Sequence, residues 1–314
     1  MLSRFDTIDR LGYHVNTLFP STIHIKAGVN KLATIASGFA LSNGVKLPCI
    51  GLGTWQIPEE KTLLATLSSA IKLGYRHFDT AHIYGNERTI AKAIEMSGLP
   101  RSEFFITTKL WNADRGHRPA IDAFNASIKA FGLEYIDLFL MQWPAAKGEP
   151  MTWQSINSGT WRAFEELYEG GLVRSIGVSN FLVHHLVPLL AKAKIAPMVN
   201  QLEIHPGYTQ MSTVQFCQEH GIQAVAWSPL GRGALLRHPA VCEIADRIGV
   251  KPSQVILRWC LQHGIAAVPK SLNVEHQRQN ADLFSFELSD ADMERLDTLP
   301  TACFSGLDPD HVTF

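Results

Sequence analysis

The chain has 314 residues, of which 46% are hydrophobic and 18% charged, and its formal net charge is −1. This composition supports a sizeable core and excludes an intrinsically disordered chain. The near-neutral charge, with no long run of one sign, favours neither a nucleic-acid partner nor an anionic membrane surface. No apolar run reaches the ~18 residues of a membrane span. The five cysteines lack C-x-x-C spacing, which predicts free thiols in a reducing, cytoplasmic compartment.

Residues 1–37 form an N-terminal extension for which the sequence predicts no role, and residues 38–314 are predicted to form one domain. That domain opens with FALSNGVKLPC, which predicts a β-hairpin. Asn43-Gly44 is a strong two-residue turn signal, because both residues adopt positive φ at little cost. We expect this hairpin to close the bottom of a barrel.

From about residue 39 onward, short β-branched apolar runs alternate with stretches of helical periodicity. The predicted strands are 49–53, 77–80, 104–109, 135–141, 174–179, 197–204, 223–228 and 266–269. The predicted helices are 61–73, 88–96, 119–131, 160–169, 181–192, 213–220 and 252–263, with extra helices at 238–249 and 288–299. Eight such units in about 250 residues predict an α/β fold of the (β/α)8 TIM-barrel type. The rival, a doubly wound dinucleotide-binding sheet, requires a G-x-G-x-x-G that GLGTWQ does not provide.

In such a barrel the active site lies at the C-terminal ends of the strands. The second strand there leads to Asp79 and Tyr84, and the third leads to Lys109. A lysine ammonium beside a tyrosine stabilises the phenolate and lowers its pKa from about 10, while an aspartate holds the lysine charged and oriented. The three together form a general acid for a carbonyl oxygen. Since no side chain supplies a hydride, the chemistry requires a nicotinamide cofactor.

At this point the chain resembles the aldo-keto reductase superfamily over about residues 38–314. The resemblance rests on seven motifs in the family's order, namely GLGTWQ, GYRHFDTAHIYGNE, FITTKLWN, TWRAFEELYEGGLVRSIGVSNF, VNQLEIHP, WSPLGRG and VPKS. The short segment after LDTLP, together with Trp227, is similar to the bacterial diketogluconate-reductase branch. The resemblance implies a monomeric, NADPH-dependent oxidoreductase of the alcohol dehydrogenase (NADP+) type. Its partner would be a small carbonyl compound, reduced from an aldehyde or ketone to an alcohol.

The resemblance also implies individual roles, which we carry over residue by residue. The positions of the family's catalytic Asp, Tyr, Lys and His are occupied by Asp79, Tyr84, Lys109 and Gln142, with Tyr84 as the proton donor. The implied cofactor-binding residues run from the nicotinamide to the adenine: Gly53, Thr54, Ser179, Asn180, Gln201, Trp227, Ser228, Leu230, Gly231, Lys270, Ser271, His276 and Asn280. The implied substrate pocket consists of Trp55, Trp111 and Trp143, with core aromatics as the alternative interpretation. The thirteen histidines show no metal-ligand spacing, so no metal site is expected.

Two positions depart from the family's pattern. Gln142 stands where the catalytic histidine is expected, and His276 stands where an arginine usually clamps the 2′-phosphate of NADPH. Arginine is a permanent planar cation, whereas histidine is largely neutral at pH 7. Two alternative functions therefore stay open. One is a cofactor-binding regulatory or scaffold barrel with vestigial activity. The other is a shifted chemistry such as enone reduction, although the family's double-bond reducers carry Glu at the histidine position.

Overall fold

The computed structural model describes residues 32–57, 59–146, 152–312 and 314, and residues 1–31 of the predicted extension lie outside this range. The predicted hairpin is present. Strand β1 (Gly38–Ala40) pairs antiparallel with β2 (Lys46–Pro48), with Phe39 opposite Leu47. The hairpin contacts the barrel just before the strand that begins at Ile176. There the Asn43 side-chain amide donates to the carbonyl oxygen of Arg174 at 2.9 Å.

The turn of this hairpin differs from the predicted one. The N–H of Gly44 donates to the carbonyl of Leu41, and the N–H of Leu41 donates to the carbonyl of Val45. Of the residues in the turn only Gly44 has a positive φ, of 83°. This is a type I turn followed by a bulge glycine, in which Asn43 keeps a negative φ. The asparagine instead uses its side chain, whose Oδ1 accepts the N–H of Val45 at 3.1 Å.

The barrel prediction is confirmed, since all eight predicted strands occur in one parallel sheet whose order follows the chain. They are β3 (Leu52–Gly53), β4 (His77–Asp79), β5 (Phe105–Leu110), β6 (Leu138–Met141), β7 (Ile176–Ser179), β8 (Val199–Glu203), β9 (Gln223–Trp227) and β10 (Ala266–Ala267). A parallel bridge between Ile50 and Ala267 joins the first strand region to the last. The N–H of Gly51 reinforces it by donating to the Ala267 carbonyl at 2.9 Å. Large side chains such as Phe78, Phe139 and Trp259 are fully buried in the core.

Helices connect the strands and surround the sheet. They are α1 (Glu60–Lys72), α2 (Glu87–Ser97), α3 (His117–Phe131), α4 (Trp153–Glu169), α5 (Val183–Leu190), α6 (Met211–Glu219), α7 (Pro239–Ile248), α8 (Pro252–Gln262), α9 (Val274–Ala281) and α10 (Asp290–Asp297). Helix α4 begins seven residues before the prediction, because its first seven residues, WQSINSG, contain only two apolar side chains and end in a glycine. No helix in the described ranges is long and apolar enough to cross a membrane.

Helix α9 is absent from the prediction, and the reason is physical. Its sequence VEHQRQNA has no apolar stripe, so hydrophobic periodicity cannot reveal it. A cap starts the helix, because the Asn273 side chain accepts the N–H groups of Glu275 and His276 at 2.8 and 3.2 Å. The fully buried Gln277 then holds it, accepting from Ser69 at 2.7 Å and donating to the carbonyl oxygen of Thr66 at 3.2 Å.

Candidate active site

A buried charged network lies at the C-terminal ends of neighbouring strands. Lys109 Nζ donates to Asp79 Oδ1 at 2.6 Å and to the carbonyl oxygen of Thr80 at 2.8 Å. The second oxygen of Asp79 accepts the side-chain amide of Gln201 at 2.7 Å from across the barrel. Lys109 is 3% and Asp79 5% exposed, so water hardly competes for these bonds. The predicted Asp–Lys pair therefore exists and has a fixed direction.

Tyr84 lies beside this pair, with the Lys109 ammonium 5.5 Å from its ring centroid. Burial raises the pKa of Tyr84 above its ordinary value, and the Asp79 carboxylate adds to the rise. The charge of Lys109 and hydrogen bonds with the Gln142 and Lys109 side chains act in the opposite direction but do not outweigh burial. The sequence-based expectation of a lowered tyrosine pKa is thus wrong in sign. The phenol consequently keeps its proton at neutral pH.

The Lys109 ammonium stays charged for a related reason. Burial alone acts to lower the pKa of Lys109, but the negative charge of Asp79 and the contact with Tyr84 outweigh it. The net pKa of Lys109 is raised. The site therefore presents a protonated phenol beside a permanent cation, an arrangement that stabilises negative charge developing on the phenol oxygen.

Gln142 follows β6 and reaches the same place. Its side chain hydrogen-bonds with the Tyr84 hydroxyl in the sense that lowers the pKa of the phenol. The amide oxygen, Oε1, is buried and has no hydrogen-bond partner among the described residues. Gln142 therefore lies beside Tyr84 at the reacting end of the site, with its amide oxygen unpaired in the described part of the chain.

The ends of β7 and β9 hold a second hydrogen-bonded group. Asn180 has a left-handed φ of 64°, a conformation that asparagine tolerates better than most residues. Its amide nitrogen donates to the carbonyl oxygen of Gln142 at 2.9 Å, and its amide oxygen accepts the indole N–H of Trp227 at 2.8 Å. Ser179 donates to the carbonyl oxygen of Gln201 at 2.8 Å. These bonds orient the Trp227 ring at the cavity wall.

One continuous cavity of about 1070 Å³ begins at this site. At the end near Tyr84 its wall is aromatic and includes all three predicted tryptophans, Trp55, Trp111 and Trp143. The sequence did not predict Phe314, whose ring stacks on Trp111 at 5.2 Å and meets Trp143 edge-on at 5.7 Å. No local sequence signal identifies this residue, because only the path of the distant C-terminal segment brings it here.

The other end of the cavity is polar. Lys270, Ser271, His276 and Asn280 line it, and these are the residues predicted to bind the adenosine end of the cofactor. His276 and Asn280 are four residues apart on α9, so they lie on one face of the helix. Asn280 is 2% exposed and its Oδ1 has no hydrogen-bond partner among the described residues. A buried, unpaired acceptor facing a cavity is costly unless a ligand supplies a donor.

Two cations in the wall were also missed by the sequence analysis. Lys251 directly precedes α8, and Arg232 lies between two glycines after β9. Lys251 occupies the N-cap position of α8, where serine, threonine, aspartate or asparagine is usual. This unusual residue could have identified Lys251 from the sequence as a candidate for ligand binding. The Arg232 guanidinium lies 5.7 Å from the centroid of the Trp55 ring. In the described part of the chain, four lysine or arginine side chains line the cavity against the single carboxylate of Asp79.

Three other residues lie behind the wall. Thr54 is fully buried, donates to the carbonyl oxygen of Asp79 at 2.9 Å and accepts from Asn86 at 3.2 Å. Gly231 is buried as well, and neither residue lines the cavity. His82 points elsewhere, toward Glu87 at 3.0 Å and Ser127 at 3.2 Å.

These features fit a dinucleotide phosphate. A long cavity with an excess of positive charge suits a ligand that carries several phosphate charges. The unpaired Asn280 oxygen is a suitable acceptor for an exocyclic amino group of a base. Phosphates belong at the polar, cationic end, which leaves the reactive end of such a ligand beside Tyr84.

Comparison with known proteins points the same way. A family model described as the aldo/keto reductase family matches residues 49–300. Glyoxal reductase of Bacillus subtilis (strain 168) is 44% identical over 274 residues, covering 87% of this chain and 96% of that protein. Morphine 6-dehydrogenase of Pseudomonas putida is 42% identical over 286 residues, covering 87% and 94%. A mutant of Gox0644 in complex with NADPH superposes with a TM-score of 0.81 at 35% identity, covering 90% and 100%.

Proposed function

The chain belongs to the aldo/keto reductase family, whose members use nicotinamide cofactors, and we propose that it reduces an aldehyde or ketone to an alcohol with NADPH. The observation that carries this proposal is the buried Lys109–Asp79 pair beside a protonated Tyr84, at the aromatic end of a cavity whose far end is cationic. When bound, NADPH supplies the hydride. The residues of this chain then have to orient the carbonyl and deliver a proton.

Tyr84 is the proposed proton donor. Its hydroxyl transfers a proton to the carbonyl oxygen as negative charge develops there, and Lys109 stabilises the phenolate that remains. Asp79 and Gln201 prevent the ammonium from turning away, because each bond in that chain is short and buried. A tyrosine with a raised pKa still suits this role, since an alkoxide is a far stronger base than a phenolate.

Gln142 occupies the proposed position of the family's catalytic histidine. Its amide N–H is a donor that can polarise and orient the carbonyl, but unlike histidine it does not titrate. We propose that proton transfer stays with Tyr84 and Lys109, while Gln142 only orients. Activity on simple aldehydes is then real but low, because a flexible amide holds the carbonyl less firmly.

The proposed cofactor site follows the cavity. Ser179, Asn180 and Gln201 hold the nicotinamide amide, and Trp227 stacks on the ring. Gly53 lies against the ribose with Thr54 behind it, and Ser228 and Leu230 lie along the pyrophosphate with Gly231 behind them. At the far end Lys270 and Ser271 take the 2′-phosphate and Asn280 takes the adenine. We propose a preference for NADPH over NADH that is weakened by the histidine at position 276.

The substrate class is open, and the relatives do not narrow it. Their names refer to a small dialdehyde and to a large alkaloid. Three tryptophans and Phe314 line the aromatic end of the cavity, which favours a carbonyl compound with an apolar body, and Arg232 lies beside Trp55 at the same end. We further propose a cytoplasmic location, supported by five free cysteines, and a monomer, as the resemblance implies.

A panel of aldehydes and ketones, followed by the loss of NADPH or NADH absorbance, tests this function. We expect turnover with at least one simple aldehyde and faster turnover with NADPH. Tight NADPH binding without turnover of any carbonyl would instead favour a regulatory barrel. The panel should include an α,β-unsaturated ketone, because a saturated ketone as the product would favour double-bond reduction.

A further inference from the structure

The segment that follows α10 returns to the C-terminal ends of the strands and closes the aromatic end of the cavity. Its first part is anchored at β8, where Ser305 donates its hydroxyl and its backbone N–H to the two oxygens of Glu203, at 2.5 and 2.9 Å. The ring of Phe304 stacks on Tyr208 at 4.5 Å. Its last part brings Leu307 and Phe314 into the cavity wall.

A second anchor holds this last part on α5. One oxygen of Asp310, Oδ1, accepts from His184 Nε2 at 2.7 Å and lies 2.9 Å from His185 Nε2. His185 is 1% exposed on its side chain, whereas His184 and Asp310 are 52% and 38% exposed. The contact therefore joins a buried histidine of α5 to a partly exposed carboxylate of the C-terminal segment.

These three side chains also satisfy the spacing of a metal site, because their ligand atoms lie within 4.8 Å of one another. The tautomer of His185 argues against one. Its Nδ1 accepts the N–H of Leu182 at 3.2 Å, so the ring proton is on Nε2. A nitrogen that carries a proton has no lone pair for a metal, and it donates to Asp310 instead. The cluster is a hydrogen-bonded clamp.

The charges agree with this assignment. Burial lowers the pKa of His185, which keeps the ring neutral and a single-proton donor. The hydrogen bond from His185, with that from His184, holds the pKa of Asp310 well below its usual range. Asp310 is thus a carboxylate that accepts two N–H donors from one helix, four residues before Phe314.

We propose that Asp310 is a positioning residue for substrate selection. By fastening the segment to His184 and His185, it keeps Phe314 against Trp111 and Trp143 and so limits the size of the carbonyl compound that the site accepts. This inference rests on the proposed carbonyl reduction. It does not involve the proton transfer itself, because Asp310 touches none of the residues in the Lys109–Asp79 network.

Asp310→Ala tests the proposal with two uncharged probes, propanal and 2-naphthaldehyde. Releasing Phe314 opens the aromatic end, so the ratio of kcat/KM for naphthaldehyde to that for propanal should rise about three- to tenfold, the effect of one aromatic contact. The kcat on propanal should not change. Asp310→Asn retains an acceptor oxygen, so its ratio of kcat/KM values should lie between those of the wild type and Asp310→Ala. His311→Ala is the matched control, because the His311 side chain lies in the same segment and hydrogen-bonds Asp308 rather than His184 or His185.

A double-mutant cycle separates positioning from a general loss of structure. If Asp310 acts through Phe314, then Asp310→Ala adds nothing to the probe ratio in the Phe314→Ala background. An equal rise in both backgrounds overturns the proposal, and so does an unchanged ratio in Asp310→Ala.

A readout without turnover keeps the two proposals distinguishable. Hydrogen exchange in the peptide that covers residues 304–314 should be faster in Asp310→Ala than in the wild type and in His311→Ala. If no carbonyl is reduced by the wild type, the proposed function fails while this measurement still tests the clamp. Equal hydrogen-exchange rates in the wild type, Asp310→Ala and His311→Ala would overturn the clamp, whatever the activity of the protein.

Discussion

The two ends of the cavity differ in whether their lysines are paired with other groups of the protein. At the reactive end Lys109 is buried and has internal partners, namely Asp79 and a backbone carbonyl. At the far end Lys251 and Lys270 are exposed, and neither forms an ion pair with any described residue. At the reactive end the protein itself neutralises the lysine charge, whereas at the far end the positive charge is left for a ligand to neutralise.

This difference has an energetic meaning. Removing one partner of a buried pair leaves an uncompensated charge and costs about 3–5 kcal/mol, so the reactive end is rigid and intolerant. An exposed cation contributes little to folding, so the far end can change without loss of structure. Substitutions near Tyr84 should therefore change kcat, while substitutions near Lys270 should change only cofactor affinity. The five predictions below test that division, from the largest effect to the smallest.

Tyr84→Phe should lower kcat for carbonyl reduction by about a hundred- to ten-thousandfold, the usual contribution of a positioned general acid. The affinity for NADPH should hardly change, because the hydroxyl lies far from the cationic end. Steady-state oxidation of NADPH and a fluorescence titration of cofactor binding measure the two quantities. Near-normal turnover in this variant would show that another group supplies the proton.

Gln142→His should raise kcat on simple aldehydes by about one to two orders of magnitude, if it restores most of an oriented donor. The same substitution in the Tyr84→Phe background should remain inactive. A gain on generic aldehydes with a loss on one bulky or polar compound would indicate that Gln142 reshapes the pocket for that substrate. An unchanged kcat in Gln142→His, together with an active Tyr84→Phe variant, would contradict the whole catalytic assignment.

His276→Arg should tighten NADPH binding by about ten- to hundredfold, the effect of one charge-assisted hydrogen bond of roughly 1.5–3 kcal/mol. NADH should bind nearly as before, because it lacks the 2′-phosphate. Dissociation constants for both cofactors provide the check. If NADPH and NADH both bind more tightly by the same factor, the side chain at position 276 does not contact the 2′-phosphate.

Lys251→Ala should weaken NADPH binding by about two- to fivefold, as expected for an exposed charge contact, and should leave kcat unchanged. The effect should shrink at high ionic strength because salt screens exposed charges. Lys46→Ala is the matched control, since Lys46 is an exposed lysine on the hairpin strand β2. A loss that is the same for NADH would assign Lys251 to the pyrophosphate.

A chain that starts at Gly38 should bind NADPH within a few-fold of the full protein. Every described residue that lines the cavity lies at or beyond Gly53, and the hairpin that meets the bottom of the barrel is retained. Its thermal stability should fall somewhat, because Leu32 and Ile35 pack against the core. Loss of cofactor binding in a soluble, folded truncation would contradict the prediction.

Much of this architecture was readable from local patterns. Alternating periods located all eight strands, and the strand ends located Asp79, Lys109 and Gln142 because parallel strands deliver their C-terminal residues to one face of a barrel. The Asn43-Gly44 signal correctly predicted a hairpin, although not its turn type. Such features depend on residues close together in the chain, so a single sequence determines them.

The remaining features were decided by tertiary structure. Helix α9 is held by the polar contacts of Gln277 rather than by an apolar stripe. Phe314 reaches the pocket through a C-terminal segment that Ser305 holds on β8 and Asp310 holds on α5. The sign of the Tyr84 pKa shift depends on whether burial or the nearby Lys109 charge is stronger. Each of these outcomes is a balance among groups distant in sequence, and local patterns contain no information about which distant groups meet.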